Sequence, residues 1–369
     1  MNMNFYSPTR LTVGEGCLRA GGAALSALGK RTLVITGRTA ARRSGALDDL
    51  TAVLKAEGIA YTVFDRIEQN PSYATCLAAA QLAKETRAEF IVGIGGGSPL
   101  DAAKAIAVLA TARDTSPEAL YAAPKEDPLP IVAVGTTAGT GSEVTPVAVI
   151  TSPEGVKKSL RAPTLYPTLA FGDATYTMSL SPAFTRSTAL DALAHCLESY
   201  FNRSANDISR TFAIRGTAIL TGLLGRTAVC ETAPLSFSER EELYCASLYG
   251  GYAISVTGTA FPHALGYFLS EQYGVPHGNA CAVYLEEFLR HNLAVAPHEA
   301  TSLFSAVGTD ADGMIALIAK NLPPLGVTPD EATVTALLPR FRDHKSLKKC
   351  LGTVDGRFAE ALLRRLFLA

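Results

Sequence analysis

Apolar residues run in short blocks through the first half of the chain and recur at helical spacing through the second. The blocks TLVIT (Thr32–Thr36), YTVFD (Tyr61–Asp65), FIVGI (Phe90–Ile94) and PIVAV (Pro130–Val134) read as strands. Between them Arg42–Glu57, Ser72–Arg87 and Ser98–Ala112 carry apolar residues at helical spacing and are rich in Ala and Leu. This alternation predicts a parallel sheet covered by helices, the architecture of a nucleotide-binding α/β half. Two more strands are expected at Val147–Thr151 and Thr168–Gly172, and the pattern changes near Tyr176. Beyond it Pro182–Phe201, Ile208–Leu224, Ser238–Ala253 and Glu360–Phe367 have helical periodicity, with Pro or Gly at several joints and no alternating strand. The expected organisation is an α/β domain over 1–178 and an all-helical domain over 179–369.

Composition narrows this picture. At 369 residues, with 48% hydrophobic and 18% charged positions, the chain is long enough for two domains and too apolar for disorder. Lys and Arg number 33 against 34 Asp and Glu, so no basic surface is expected to bind nucleic acid. The seven cysteines, Cys17, Cys76, Cys196, Cys230, Cys245, Cys281 and Cys350, are scattered and form no CxxC pair. That argues against a disulfide framework or zinc ribbon and for a reducing compartment. No basic stretch followed by an apolar run opens the chain, so a cytoplasmic protein is expected. Leu243–Ser270 carries no charged residue, but Gly250, Gly251, Gly258, Pro262 and Gly266 interrupt it, which favours buried helices over a membrane span.

Candidate chemistry begins at GIGGGSPLDAAK, where Gly95, Gly96, Gly97 and Ser98 stand between a strand and a helix. Residues without Cβ let a diphosphate approach the backbone, and the free N–H groups at the helix start supply the attraction. The spacing is neither GxGxxG nor that of a P-loop. Asp101, in the first turns of the helix, is a further cofactor-binding candidate. A second polar loop, GTTAGTGSE (Gly135–Glu143), leaves the next strand at the same end of the sheet, and two such loops side by side suit a dinucleotide. The end of the first strand carries Gly37 and Arg38 in place of a ribose-binding acid, with Arg42 and Arg43 nearby, so NADP is favoured over NAD.

A metal site is expected in the second half. In STALDALAHCLESY, Asp191 and His195 lie four apart on one helix face, with Cβ atoms roughly 5–6 Å apart. His263 in FPHALGY and His277 in GVPHGNA have tight apolar contexts, and the four side chains together suit Fe(II) or Zn(II) with positions left open for substrate. Glu198, near one turn beyond His195, is a candidate to orient that imidazole. His291, His298 and His344 fall in polar contexts and are expected at the surface.

The blocks GGGSPLDAAK, TTAGTGSEVT and LDALAHCLESY and the paired PHALGY and VPHG segments resemble, in order and spacing, the signatures of the iron-containing (group III) alcohol dehydrogenase family. The resemblance implies a Rossmann-like N-terminal domain and an all-α C-terminal domain in dehydroquinate-synthase-like architecture, with a divalent metal in the cleft between them and a homodimer or higher oligomer. It implies Asp191, His195, His263 and His277 as metal ligands. Gly96, Gly97 and Ser98 match the pyrophosphate loop, Thr136, Thr137 and Thr145 the second cofactor loop, and Asn70 a further nucleotide contact. A lysine near the nicotinamide is implied too, and Lys157 fits better than Lys158 by spacing to Pro163. Two positions depart from the family pattern: Tyr267 stands where many relatives carry a second histidine, and Val147 where relatives acting on small diols carry asparagine.

The expected activity is hydride transfer between NADP or NAD and a small alcohol or aldehyde, with the metal acting as Lewis acid and Tyr267 as a candidate proton donor. A polyol dehydrogenase and a dehydroquinate-synthase-like lyase are the alternatives. The lyase needs a basic pocket that the helical half does not offer.

Overall fold

The computed structural model describes residues 3–122, 124, 126–227 and 235–368, so Cys230 lies outside the described residues. The chain divides into two units: Tyr6–Ser181 with Leu235–Gly251, and Met1–Phe5 with Pro182–Pro234 and Tyr252–Ala369.

The first unit contains β1 (Arg10–Val13), β2 (Arg31–Thr36), β3 (Ala60–Phe64), β4 (Phe90–Gly95), β5 (Ile131–Gly135), β6 (Val147–Thr151), β7 (Lys157–Arg161) and β8 (Leu169–Gly172). Six of these form one parallel sheet in the order β1-β8-β5-β4-β2-β3. β4, β5 and β8 are buried throughout and β2 nearly so, which is why their apolar runs are unbroken in sequence. β6, expected as a strand, lies outside that sheet and pairs antiparallel with β7 as a separate hairpin. β7 was not anticipated because its sequence, KKSLR, is mostly exposed and polar.

Six helices accompany the sheet: α1 (Gly22–Ser26), α2 (Ala40–Arg43), α3 (Ala46–Ala56), α4 (Tyr73–Glu85), α5 (Gly97–Thr111) and α6 (Pro117–Tyr121). Alternate residues of each strand serve opposite layers. Leu33, Ile35 and Ile91 pack with Ala79 and Ala80 of α4, Ile106 of α5, and Ala148 and Ile150 of the hairpin. Val34, Val92 and Ile94 pack with Leu47, Leu50 and Leu54 of α3. α5 lies so near β4 that a Cβ on Gly93 would stand 2.8 Å from the Ala103 methyl, so small residues on both elements are a packing requirement.

The second unit is built from α7 (Pro182–Tyr200), α8 (Asp207–Thr227), the end of α9 (Phe237–Thr257), α10 (Phe261–Gln272), α11 (His277–Ala282), α12 (Leu285–Val295), α13 (Pro297–Val307), α14 (Ala311–Asn321), α15 (Glu331–Phe341) and α16 (Gly356–Phe367). Its aromatic centre joins Phe201, Phe261 and Phe288, with Phe261 and Phe288 edge-on at 5.2 Å. Leu243–Ser270 resolves into α9 and α10, broken around Gly258, which has φ 71°. Among the described residues no single helix is long and apolar enough to cross a membrane, and no cysteine is in a disulfide. Of the histidines expected at the surface only His298 is exposed. His291 is half-buried with Nε2 2.8 Å from the Leu351 carbonyl, and His344 is half-buried with Nδ1 accepting from the Ser346 amide.

The start of α9 packs with the α/β unit, and the reason is steric. Tyr244 fills space left by two glycines at strand ends, where a Cβ on Gly135 would stand 2.1 Å from its hydroxyl and one on Gly172 2.5 Å from its ring. Arg240 fixes the same segment by donating to the carbonyls of Thr177 and Leu180. Close by, Gly141 has φ 59°, and a Cβ on Gly251 would meet its carbonyl oxygen at 2.6 Å. Gly251→Ala is therefore expected to destabilise the protein by about 1–3 kcal/mol through overpacking. Urea unfolding measures this, and an unchanged midpoint would refute the close-contact account.

Candidate functional site

The helical unit gathers the metal candidates through three helices. Asp191, His195 and Glu198 share one face of α7 at one-turn intervals. His263 sits in the first turn of α10 behind Pro262, and His277 opens α11. Two glycines let α11 approach both partners. A Cβ on Gly278 would lie 1.7 Å from the Ser187 carbonyl oxygen and 3.1 Å from Asp191 Cβ, and one on Gly266 would lie 2.7 Å from the Ala280 carbonyl oxygen.

Asp191 Oδ1 consequently stands 3.4 Å from His263 Nε2 and 3.6 Å from His277 Nε2. Asp191 Oδ1 and His263 Nε2 are both buried and have no hydrogen-bond partner. Leaving two such atoms unsatisfied is costly unless something bridges them. An oxygen and two imidazole nitrogens converging on one point are a donor set for a divalent cation, so these residues fit the metal that the sequence implies.

Glu198 accepts from the Ala260 amide through Oε2 and contacts His263 Nδ1 through Oε1. It therefore orients His263, not His195 as expected, and a proton on Nδ1 leaves the Nε2 lone pair free for the ion. The His195 ring stacks on His263 with centroids 4.6 Å apart, and Tyr267 stacks on His277 at 5.9 Å. Cys281, which the sequence reading left among the scattered cysteines, joins Asp191, His263 and His277 in a group whose ligand atoms all lie within 4.8 Å of one another. Burial alone would raise the Asp191 carboxyl pKa, yet His195, His277 and His263 outweigh it and hold the group well below the usual carboxylate range. Burial opposes charge on His263, but Cys281, Glu198 and Asp191 keep its pKa well above the ordinary imidazole value.

At the carboxyl ends of β4 and β5 the two polar loops interlock. α5 begins at Gly97 with Gly96 as N-cap, and no side chain caps its amides. Gly95 has φ 152°, and a Cβ there would strike Pro99 at 2.5 Å. Cβ atoms on Gly96 and Gly97 would meet Thr137 at 2.9 Å and Thr140 at 2.8 Å, while the Thr136 amide donates to the Gly95 carbonyl at 2.9 Å. Asn70, held at φ 58°, donates its amide to Ser98 Oγ. Gly37 follows β2 beside the Ile67 carbonyl, Arg38 and Arg43 are exposed, and Arg42 lies 3.8 Å from Asp65. Lys157 is the first residue of β7, paired with Thr151.

The polar centre behind these loops was not anticipated. The fully buried Lys104 ammonium donates to the carbonyls of Ser142 and Val147, each at 2.8 Å, and to the hydroxyls of Ser142 and Thr145. Asp101 accepts from Ser142 Oγ at 2.6 Å and from the Val149 amide at 2.8 Å. Burial pushes the Lys104 pKa down to about 8, with Asp101 and Glu143 acting against it. The available signal was a lone lysine on the alanine-rich face of α5, three residues after an aspartate.

Two outcomes follow from this geometry. Glu198→Gln is expected to weaken metal binding by about 10–100-fold, read by equilibrium dialysis, with retention falling as pH drops because protons compete for His263. Lys104→Met is expected to raise KM for the nicotinamide while metal content stays constant, and an unchanged KM would refute the loop-anchoring role.

Residues 8–174 match the model of the iron-containing alcohol dehydrogenase family, and residues 185–322 match that of the C-terminal domain of the same family. The chain is 32% identical to 1,3-propanediol dehydrogenase of Citrobacter freundii, over 87% of this chain and 81% of that protein. An iron-containing alcohol dehydrogenase structure from Thermotoga maritima superposes with TM-score 0.90 at 33% identity, covering 100% of both chains. Sulfoacetaldehyde reductase from Bifidobacterium kashiwanohense, solved in complex with NAD+, superposes with TM-score 0.87 at 26% identity over 99% of each chain. Matched in both halves by its models and along most of its length by its members, the chain belongs to the iron-containing alcohol dehydrogenase family.

Proposed function

We propose that the chain is an NAD(P)-linked, metal-dependent alcohol dehydrogenase that interconverts a small alcohol and its aldehyde, with Asp191, His195, His263 and His277 holding the ion. The observation that carries this reading is the buried pair Asp191 Oδ1 and His263 Nε2, 3.4 Å apart with neither atom hydrogen-bonded, with His277 Nε2 beside it. When bound, Fe(II) or Zn(II) supplies Lewis-acid polarisation of the substrate oxygen, and the nicotinamide supplies or accepts the hydride.

The chain's own residues do the rest. Glu198 keeps the His263 ring in one orientation and one tautomer. Gly95, Gly96, Gly97 and Ser98, with the uncapped amides of α5, take the diphosphate, while Thr136, Thr137 and Asn70 flank it and Lys104 and Asp101 hold the second loop. Gly37 and Arg38 put no carboxylate at the ribose, which supports acceptance of a 2′-phosphate and hence NADP. The solved NAD+ complex of the sulfoacetaldehyde reductase supports a nicotinamide cofactor in general. Tyr267, stacked on His277, is the proton donor in the reductive direction, since a phenol of unperturbed pKa about 10 gives up a proton to an alkoxide more readily than it takes one from an alcohol.

Purified protein is expected to oxidise NADPH, and NADH more slowly, in the presence of short aldehydes. A chelator abolishes turnover and Fe(II) or Zn(II) restores it. His277→Ala lowers kcat/KM by about 100-fold or more, the scale set by loss of one electrostatic stabiliser. Undiminished aldehyde reduction by that variant would overturn the assignment.

A further inference from the structure

His263 stands in the first turn of α10, and that helix begins without a capping side chain of its own, because its N-cap residue is Ala260. The acceptors for its first amides come from elsewhere in the fold. Glu198 Oε2 takes the Ala260 amide, and the Cys350 sulfur takes that of Phe261. The setting of α10, and with it the direction in which His263 points, is therefore fixed by groups outside the helix.

The residues just before Ala260 are held by a second, wholly buried contact. Thr257 closes α9, and its Oγ1 stands 2.8 Å from the Gly258 carbonyl oxygen and 3.0 Å from Ser199 Oγ. Thr257 is 2% exposed and Ser199 0%, so neither hydroxyl can turn to solvent instead. A hydroxyl has one proton to give. Thr257 gives it to the Gly258 carbonyl, which is nearer than that of Ala253 at 3.3 Å, and accepts from Ser199. Gly258 turns the chain at φ 71°, where a Cβ would strike Lys349 Nζ, so the turn has little room to rearrange. Ser199 follows Glu198 on α7. Two successive residues of the helix that carries Asp191 and His195 thus hold both ends of the Gly258–Ala260 turn that leads to His263.

We propose that Thr257 is a positioning residue for the metal site: its hydroxyl, joined to Ser199, fixes the turn between α9 and α10 so that the Ala260 amide and the His263 imidazole meet Glu198 together. His263 Nε2 is thereby presented 3.4 Å from Asp191 Oδ1, a separation that one ion can bridge. Thr257 acts only through Glu198 and His263. Removing its hydroxyl leaves Ser199 Oγ and the Gly258 carbonyl buried without this partner, which releases the turn from α7. The inference rests on the metal-dependent reading above and extends it beyond the ligands.

Zn(II) affinity of the full-length protein, measured by competition with a chromophoric chelator, tests it. Thr257→Val keeps the volume and loses the hydroxyl, and is expected to weaken Zn(II) binding by about 10-fold, the low end of the range for groups that stand behind a metal ligand. Thr257→Ser restores the hydroxyl and binds like the unmutated protein. Ser199→Ala shows the same loss as Thr257→Val, and the double variant loses no more than either, because both break one contact. A merely structural role would lower the urea midpoint of the metal-free protein and leave Zn(II) affinity where it was. Unchanged affinity in Thr257→Val, an equal loss in Thr257→Ser, or losses that add in the double variant overturn the proposal and leave the metal-dependent reading standing. Failure of the unmutated protein to bind Zn(II) overturns both. If Thr257→Val does not fold, Ser199→Ala is read in its place, and undiminished affinity in that variant overturns the proposal.

Discussion

The metal cluster depends on one steric allowance, the absence of a side chain at Gly278. A Cβ there would overlap the Ser187 carbonyl oxygen at 1.7 Å, so any other residue would push α11 away from α7. That displacement would carry His277 and Cys281 away from Asp191 together, because both ride on the same short helix. Gly266 does the equivalent for the contact between α10 and α11. Donor geometry is therefore set by how closely three helix backbones approach, and the side chains inherit their positions from that packing.

Electrostatics then determine what the packed site accepts. Asp191 is held anionic by the imidazoles around it, and His263 is held toward its charged form by the acidic groups beside it. A divalent cation answers both conditions, since it replaces the proton on His263 and neutralises Asp191. Glu198 adds the orienting contact from the far side of the His263 ring, so the ring is gripped at both nitrogens once an ion is present.

The sequence made the sheet legible wherever strands are covered on both faces. The runs at β2, β4 and β5 are unbroken because water touches neither side. β1 and β7 escaped because their exposed positions dilute the apolar signal, and β6 was visible as a strand without any clue to its partner. The spacing of Asp191 and His195 announced a shared helix face. Spacing within one helix is silent about which ring arrives from another, so Glu198 was matched to His195 when His263 is its neighbour. Lys104 was hidden for a related reason: four acceptors that converge on it come from a segment about forty residues downstream.

That buried lysine ties the helix behind the first glycine loop to the loop that follows β5, and its positive charge is supported by four acceptors of that one segment together with the nearby Asp101 and Glu143. On their outer side the two loops mesh glycine against threonine, Gly96 with Thr137 and Gly97 with Thr140. The pair behaves as a single cassette. Grafting one loop from a relative in order to switch nicotinamide preference would leave a mismatched seam, so an engineer would have to transplant both loops, with Lys104 and Asp101 beneath them, as one inherited block.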